Sequence, residues 1–182
     1  MSWNGEFENQ VRATNRLKVV VPISIGLIFL LLFFTFNSPK YSAMVLLNVP
    51  FALIGGILGL YFFGINFSIS AGIGFIALFG VSVQNGVILV SVFIKNRNEG
   101  LSLEAAIYQG AMSRMRPVLM TALVASLGLL PAALSNGIGS ETQKPLAVVI
   151  ICGLITATLL TLVMLPAIYG LWQPSSHRKL EA

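Results

Sequence analysis

ISAGIGFIALFGVSVQNGVILVSVFI, residues 69–94, is long enough to cross a bilayer, carries no charge, and yet places Ser82, Gln84 and Asn85 about halfway along. Polar side chains at membrane depth face a helix bundle or a wet pathway rather than lipid, which makes this cluster a candidate functional site. The competing reading is interhelical glue, in which each group contributes roughly 0.5–2 kcal/mol to helix association. The residues themselves leave both readings open.

Composition fixes the class. Hydrophobic residues fill 56% of 182 positions and charged residues 9%, which places the chain among polytopic membrane proteins. Aspartate is absent, and His177 and Cys152 are each the only residue of their type. An intrachain disulfide is therefore impossible, and no metal site or cofactor site of the Cys/His kind is expected. The net charge of +5 belongs to Lys and Arg flanking apolar segments, so it reads as membrane orientation and not as nucleic-acid binding.

Around the opening stretch the rest of the chain falls into order. Residues 1–18 are polar and mixed in charge, too long in charge for a signal peptide, and read as the end of a linker on the outer side. Residues 19–36 form the first span, with Pro22 expected in its first turn, where the missing donor costs little. Asn37 to Lys40 has turn chemistry, and residues 42–63 form the second span, containing Asn48 and a run of small residues, Gly55, Gly56 and Gly59, suited to close helix packing. The third span is 69–94.

Residues 102–115 then read as a short amphipathic helix on the cytoplasmic surface. Ser102 is its cap, Glu104 lies in its first turn, and Leu103, Ile107 and Ala111 line one side. An ordinary connecting helix fits the same pattern. Residues 117–134 form the fourth span; SNGIGSETQK (135–144) reads as a loop; residues 146–172 form the fifth, with Tyr169 and Trp172 placed for an interfacial aromatic belt. Residues 173–182 are a short basic tail.

The basic residues orient these spans. With the first link on the cytoplasmic side, that side collects Lys40, Lys95, Arg97, Arg114, Arg116, Arg178 and Lys179, seven against the four of Arg12, Arg16, Lys18 and Lys144. This predicts an external N-terminus and a cytoplasmic C-terminus. An odd number of spans with an external, signal-less N-terminus suggests the end of something longer.

GEFENQ at 5–10, FGVSVQNGVILV at 79–90, RMRPVLMTALVASLGLLP at 114–131 and GSETQKPLA at 139–147 together resemble the C-terminal membrane part of a resistance-nodulation-division efflux pump. The first and last of these are more similar to the heavy-metal branch than to the multidrug branch. The resemblance implies an all-α membrane fold in which these five transmembrane helices are the last five of twelve. It implies an inner-membrane, proton-coupled exporter of metal cations and no enzyme activity. The implied partners are an N-terminal half with periplasmic domains, two further copies in a homotrimer, a periplasmic adaptor, an outer-membrane channel and the lipid bilayer.

For single residues the resemblance implies a proton relay. Gln84 stands where the multidrug branch has a lysine and some copper and silver pumps a glutamate; glutamine cannot titrate but can donate and accept hydrogen bonds. Asn85 and Thr121 match relay positions, Arg114 matches an arginine at the cytoplasmic start of the eleventh helix, and Lys144 resembles a basic residue tied to proton transfer in copper pumps. Each also has a plain reading: packing for Gln84 and Asn85, a bond within its own helix for Thr121, an interface anchor for Lys144. Met44, Met120 and Met164 offer soft sulfur to a passing ion, or serve as apolar filler. Two functions therefore remain: the membrane part of a metal-cation pump (or of a multidrug pump), or an inactive fragment or accessory scaffold subunit.

Overall fold

The computed structural model describes residues 3–137 and 139–172, and over these the chain forms five helices and no strand. They are α1 (Trp3–Phe36), α2 (Pro39–Phe62), α3 (Ile69–Asn98), α4 (Leu103–Leu134) and α5 (Ser140–Trp172). Each contains a stretch long and apolar enough to span a membrane, so the expected all-α membrane fold is found. The basic tail expected at 173–182 lies outside the described residues.

Short links make successive helices run in opposite directions, and the core records this. One apolar cluster joins Leu32 near the end of α1, Met44 and Val45 near the start of α2, Phe93 near the end of α3, and Leu165 and Tyr169 near the end of α5. A second cluster at mid-bundle brings together Ala52, Leu78, Ala122 and Val149. A third gathers Ala133, Ala147 and Val148 at the opposite end.

Local chemistry sets the helix starts. The Ser68 hydroxyl accepts the Ala71 amide at 3.2 Å and the Ser102 hydroxyl accepts the Ala105 amide at 3.3 Å, each satisfying one of the orphan donors of a first turn. Pro39 begins α2, where its fixed φ suits the helix and its missing donor would be unpaired anyway. The turn expected at 37–40 is thus reduced to Asn37 and Ser38, with Asn37 in the left-handed region at φ 48°.

The structure corrects several sequence expectations. α1 begins at Trp3, so Pro22 lies well inside a helix and deprives the Lys18 carbonyl of its partner. Ser140 to Lys144, read as loop, is the first turn of α5, with Glu141 placed favourably at the positive end of the helix dipole. The helix expected at 102–115 forms but does not stop: it runs through Pro117 into the fourth span as one element, α4. Its apolar side is not laid on the membrane surface either. Leu103, Ile107 and Ala111 pack against the first cluster, Ala106 is fully buried, and Asn96 Nδ2 donates to the Ala106 carbonyl at 3.1 Å. Tyr169 is not an interfacial belt residue; it is buried between Tyr41, stacked at 5.9 Å, and Phe93, at 5.1 Å. Trp172 remains exposed.

Among the described residues α5 makes the most extensive contacts, against α2, α3 and α4, whereas α1 meets α2 and α3 alone. The α2–α5 contact depends on glycine. A Cβ added at Gly55 would lie 2.8 Å from the Cys152 carbonyl oxygen, and one at Gly59 would lie 2.7 Å from Cys152 Cβ. Absence of side chains lets the two backbones meet, which is how membrane helices gain van der Waals contact without a hydrophobic driving force.

Candidate functional site at mid-span

The polar cluster of α3 divides between two faces. Ser82 is buried in the bundle, while Gln84, about 200° further round the helix, is exposed on the outward face, and Asn85 lies half-buried on the flank between them. At Gly80, one turn before Gln84 on that outward face, a Cβ would meet no other part of the described chain within 4 Å beyond its own helix backbone.

Inside, a polar clasp joins three helices. Asn48 Nδ2 of α2 donates to the Ser82 carbonyl of α3 at 3.2 Å, and Thr161 Oγ1 of α5 donates to Asn48 Oδ1 at 2.8 Å. The Thr161 hydroxyl also reaches the Ala157 carbonyl in its own helix, so its one proton is shared between two acceptors. Asn48 is 2% exposed and Thr161 1%, so the clasp is sealed from lipid and water. The Ser82 and Thr158 hydroxyls are also buried and have no hydrogen-bond partner among the described residues.

The clasp contributes modestly. Hydrogen bonds between membrane helices average about 0.6 kcal/mol and reach about 1.7. A double-mutant cycle of Asn48→Leu and Thr161→Val, read by unfolding in mixed micelles, should give a coupling energy of about 1 kcal/mol. A coupling near zero would mean that Thr161 serves only its own helix.

The other expected site residues fall in different places. Thr121 is exposed on α4, and its hydroxyl donates to the Pro117 carbonyl at 2.9 Å, a bond within its own helix. Arg114, half-buried, stands seven residues earlier on nearly the same side of α4. Lys144 lies near the start of α5, where its Nζ donates to Asn136 Oδ1 at 2.7 Å in the α4–α5 link. It is about 25 Å along α5 from Thr161, at 1.5 Å per residue, so the structure does not bring it to the mid-span cluster. Met44 is a buried member of the first apolar cluster, Met164 is half-buried on α5, and Met120 faces outward from α4, so the three do not share one face.

Among the described residues no three His, Cys, Asp or Glu side chains come together to hold a metal ion. The six acidic residues are all glutamates: Glu6, Glu8, Glu99, Glu104, Glu141 and Glu181. None lies at mid-span. Such a unit can orient a charged partner by hydrogen bonds, but contributes no carboxylate of its own at that depth.

The family described as AcrB/AcrD/AcrF matches residues 1–173. The chain belongs to the AcrB/AcrD/AcrF family. Within it the chain is 51% identical over 181 residues to the cobalt-zinc-cadmium resistance protein CzcA of Cupriavidus metallidurans, an alignment covering 100% of this chain and 17% of that protein. It is also 51% identical to the nickel and cobalt resistance protein CnrA of the same organism, over 100% of this chain and 18% of the relative. The cation efflux system protein CusA of Escherichia coli K12 is 37% identical over 98% of this chain and 18% of its own length. A crystal structure of a heavy metal efflux pump superimposes with a TM-score of 0.82 at 49% identity, covering 91% of this chain and 17% of that one. This AcrB/AcrD/AcrF-family chain therefore spans about a sixth of the length of the curated relatives it matches.

Proposed function

We propose that this chain is the C-terminal membrane part of a proton-coupled resistance-nodulation-division pump that exports divalent heavy-metal cations. The reading rests on one observation: full coverage of the chain at 51% identity by a cobalt-zinc-cadmium resistance protein. Three relatives at 50–51% identity are named for resistance to cobalt, zinc, cadmium or nickel, while the cation efflux system protein CusA stands lower at 37%. The metal is cargo and needs no resident site in these helices.

In this reading α1 to α5 are the eighth to twelfth helices of an inner-membrane subunit. The subunit assembles as a homotrimer with a periplasmic adaptor and an outer-membrane channel. The α1 start faces the periplasm and the end of α5 the cytoplasm, in keeping with the excess of Lys and Arg on the cytoplasmic links. Gln84 presents its amide from the outward face of α3 toward a carboxylate on the other half of the pump, with Asn85 beside it. Thr121 and Arg114 line the neighbouring side of α4. The carboxylate gains and loses the proton, and its change of charge biases two arrangements of the bundle. Gln84 orients that group and does not carry the proton, because an amide does not titrate. Lys144 anchors the α4–α5 link through Asn136 and acts at the periplasmic end.

A segment exchange tests this. The aligned 181 residues of the cobalt-zinc-cadmium resistance protein are replaced by this chain in a metal-sensitive host. Cobalt, zinc or cadmium tolerance should be retained, with this chain alone conferring none. A chimaera that reaches the membrane at normal level but gives no tolerance to any of the three would overturn the assignment.

A further inference from the structure

Between α1, α2 and α3 lies a half-open cleft of about 280 Å³ whose walls are almost wholly apolar. Val20 and Ile25 of α1 form one side, Leu53 of α2 the second, and Phe75 and Ile76 of α3 the third. Gly72, without a side chain, deepens it. Phe67 and Phe75, both in the lining, stack at 6.1 Å with planes 20° apart, so aromatic rings make up part of one wall. The cleft exists because α1 packs on α2 and α3 chiefly through Ile28, Leu32 and Phe36 near its far end and stands away from them toward residue 20.

We propose that this cleft seats one acyl chain of an anionic phospholipid from the leaflet on the α1 N-terminal side. The lining offers too few polar groups to hold ordered water, and an enclosed apolar cavity of about 150 Å³ already takes up benzene. A helix, about 10–12 Å across, is too thick for the space that an alkyl chain fills.

Charge selects the headgroup. Arg16 and Lys18 are exposed on α1 four and two residues before Val20, which places them about 6 and 3 Å beyond the rim of the cleft. An acyl chain lying in the cleft carries its phosphate to that level. Ser24 stands within the lining, on nearly the same side of α1 as Val20. A basic residue near a membrane surface contributes about 1 kcal/mol toward an anionic lipid. Two therefore favour an anionic headgroup over a zwitterionic one by about thirtyfold.

The full chain in nanodiscs holding equal amounts of dioleoylphosphatidylglycerol and dioleoylphosphatidylethanolamine, released into native mass spectrometry, gives the test. The chain should retain one phosphatidylglycerol with a preference of about thirtyfold. Ile76→Trp, at a position 46% exposed, fills the cleft and should abolish retention of both lipids. Leu127→Trp on the outward face of α4 should change nothing. Arg16→Gln with Lys18→Gln should keep an acyl chain but bring the preference close to one. The proposal fails if Ile76→Trp retains phosphatidylglycerol as the parent does, if the parent retains both lipids equally, or if the double glutamine variant keeps its preference.

Discussion

Gly55→Val will destabilise the bundle by about 3 kcal/mol, at the upper end of the usual cost of overpacking, while Gly80→Val leaves the isolated chain within about 0.5 kcal/mol of the parent. The difference lies in what the new atoms meet. At Gly55 a Cβ points at the backbone carbonyl of Cys152 and at Thr156, and a backbone atom of the central helix cannot rotate aside. At Gly80 the space is open, and valine is a slightly better helix former than glycine. Thermal unfolding in detergent followed by helical circular dichroism measures both. Equal stability of the two variants would show that α2 and α5 do not meet as closely as described.

The second large effect is functional. Gln84→Leu, introduced into the segment-exchange chimaera, should lower metal tolerance without lowering the amount of protein in the membrane. A carboxylate left facing a methyl group loses its amide donor, which costs about 1–3 kcal/mol. This is on the order of tenfold in the rate of the step it governs. Gly80→Val supplies the structural control: silent in the isolated chain, it should weaken the chimaera if, as proposed, the other half of the pump covers the outward face of α3. Unchanged tolerance with Gln84→Leu would reduce that side chain to packing. An unaffected chimaera with Gly80→Val would mean that no helix covers the face at all.

What could be read in advance was local. Ser102 caps a helix because a hydroxyl before a helical run has few other uses, and that is visible within four residues. The five apolar runs needed only length and composition. Helix ends were less legible, because a run of hydropathy ends where charge begins and a helix need not: α1 and α5 start in polar residues, carrying Pro22 and Pro145 inside them. Periodicity showed that Leu103, Ile107 and Ala111 share a side, but not that the ends of α3 and α5 cover it. Tyr169 fits an aromatic belt and a buried stack equally well in one dimension. The clasp was out of reach, since Asn48 and Thr161 are 113 positions apart and neither is unusual in its own helix. For the candidate site, Gln84, Asn85, Thr121 and Arg114 were named from their motifs. Only the fold puts Gln84 and Thr121 on outward faces and Asn85 on a flank, and buries Ser82 in the interior.

That separation of Asn48 from Thr161 also orders events during synthesis. At about 5–20 residues per second, α2 emerges roughly 6–20 s before the threonine that its amide oxygen accepts from. In that interval α2 and α3 can pair through the Ser82 carbonyl, while the bare glycine face of α2 waits beside the insertion machinery with nothing but lipid against it. Of these five helices α5 is made last, and α2, α3 and α4 all pack on it, so this part of the bundle is completed from its centre only once α5 is in place.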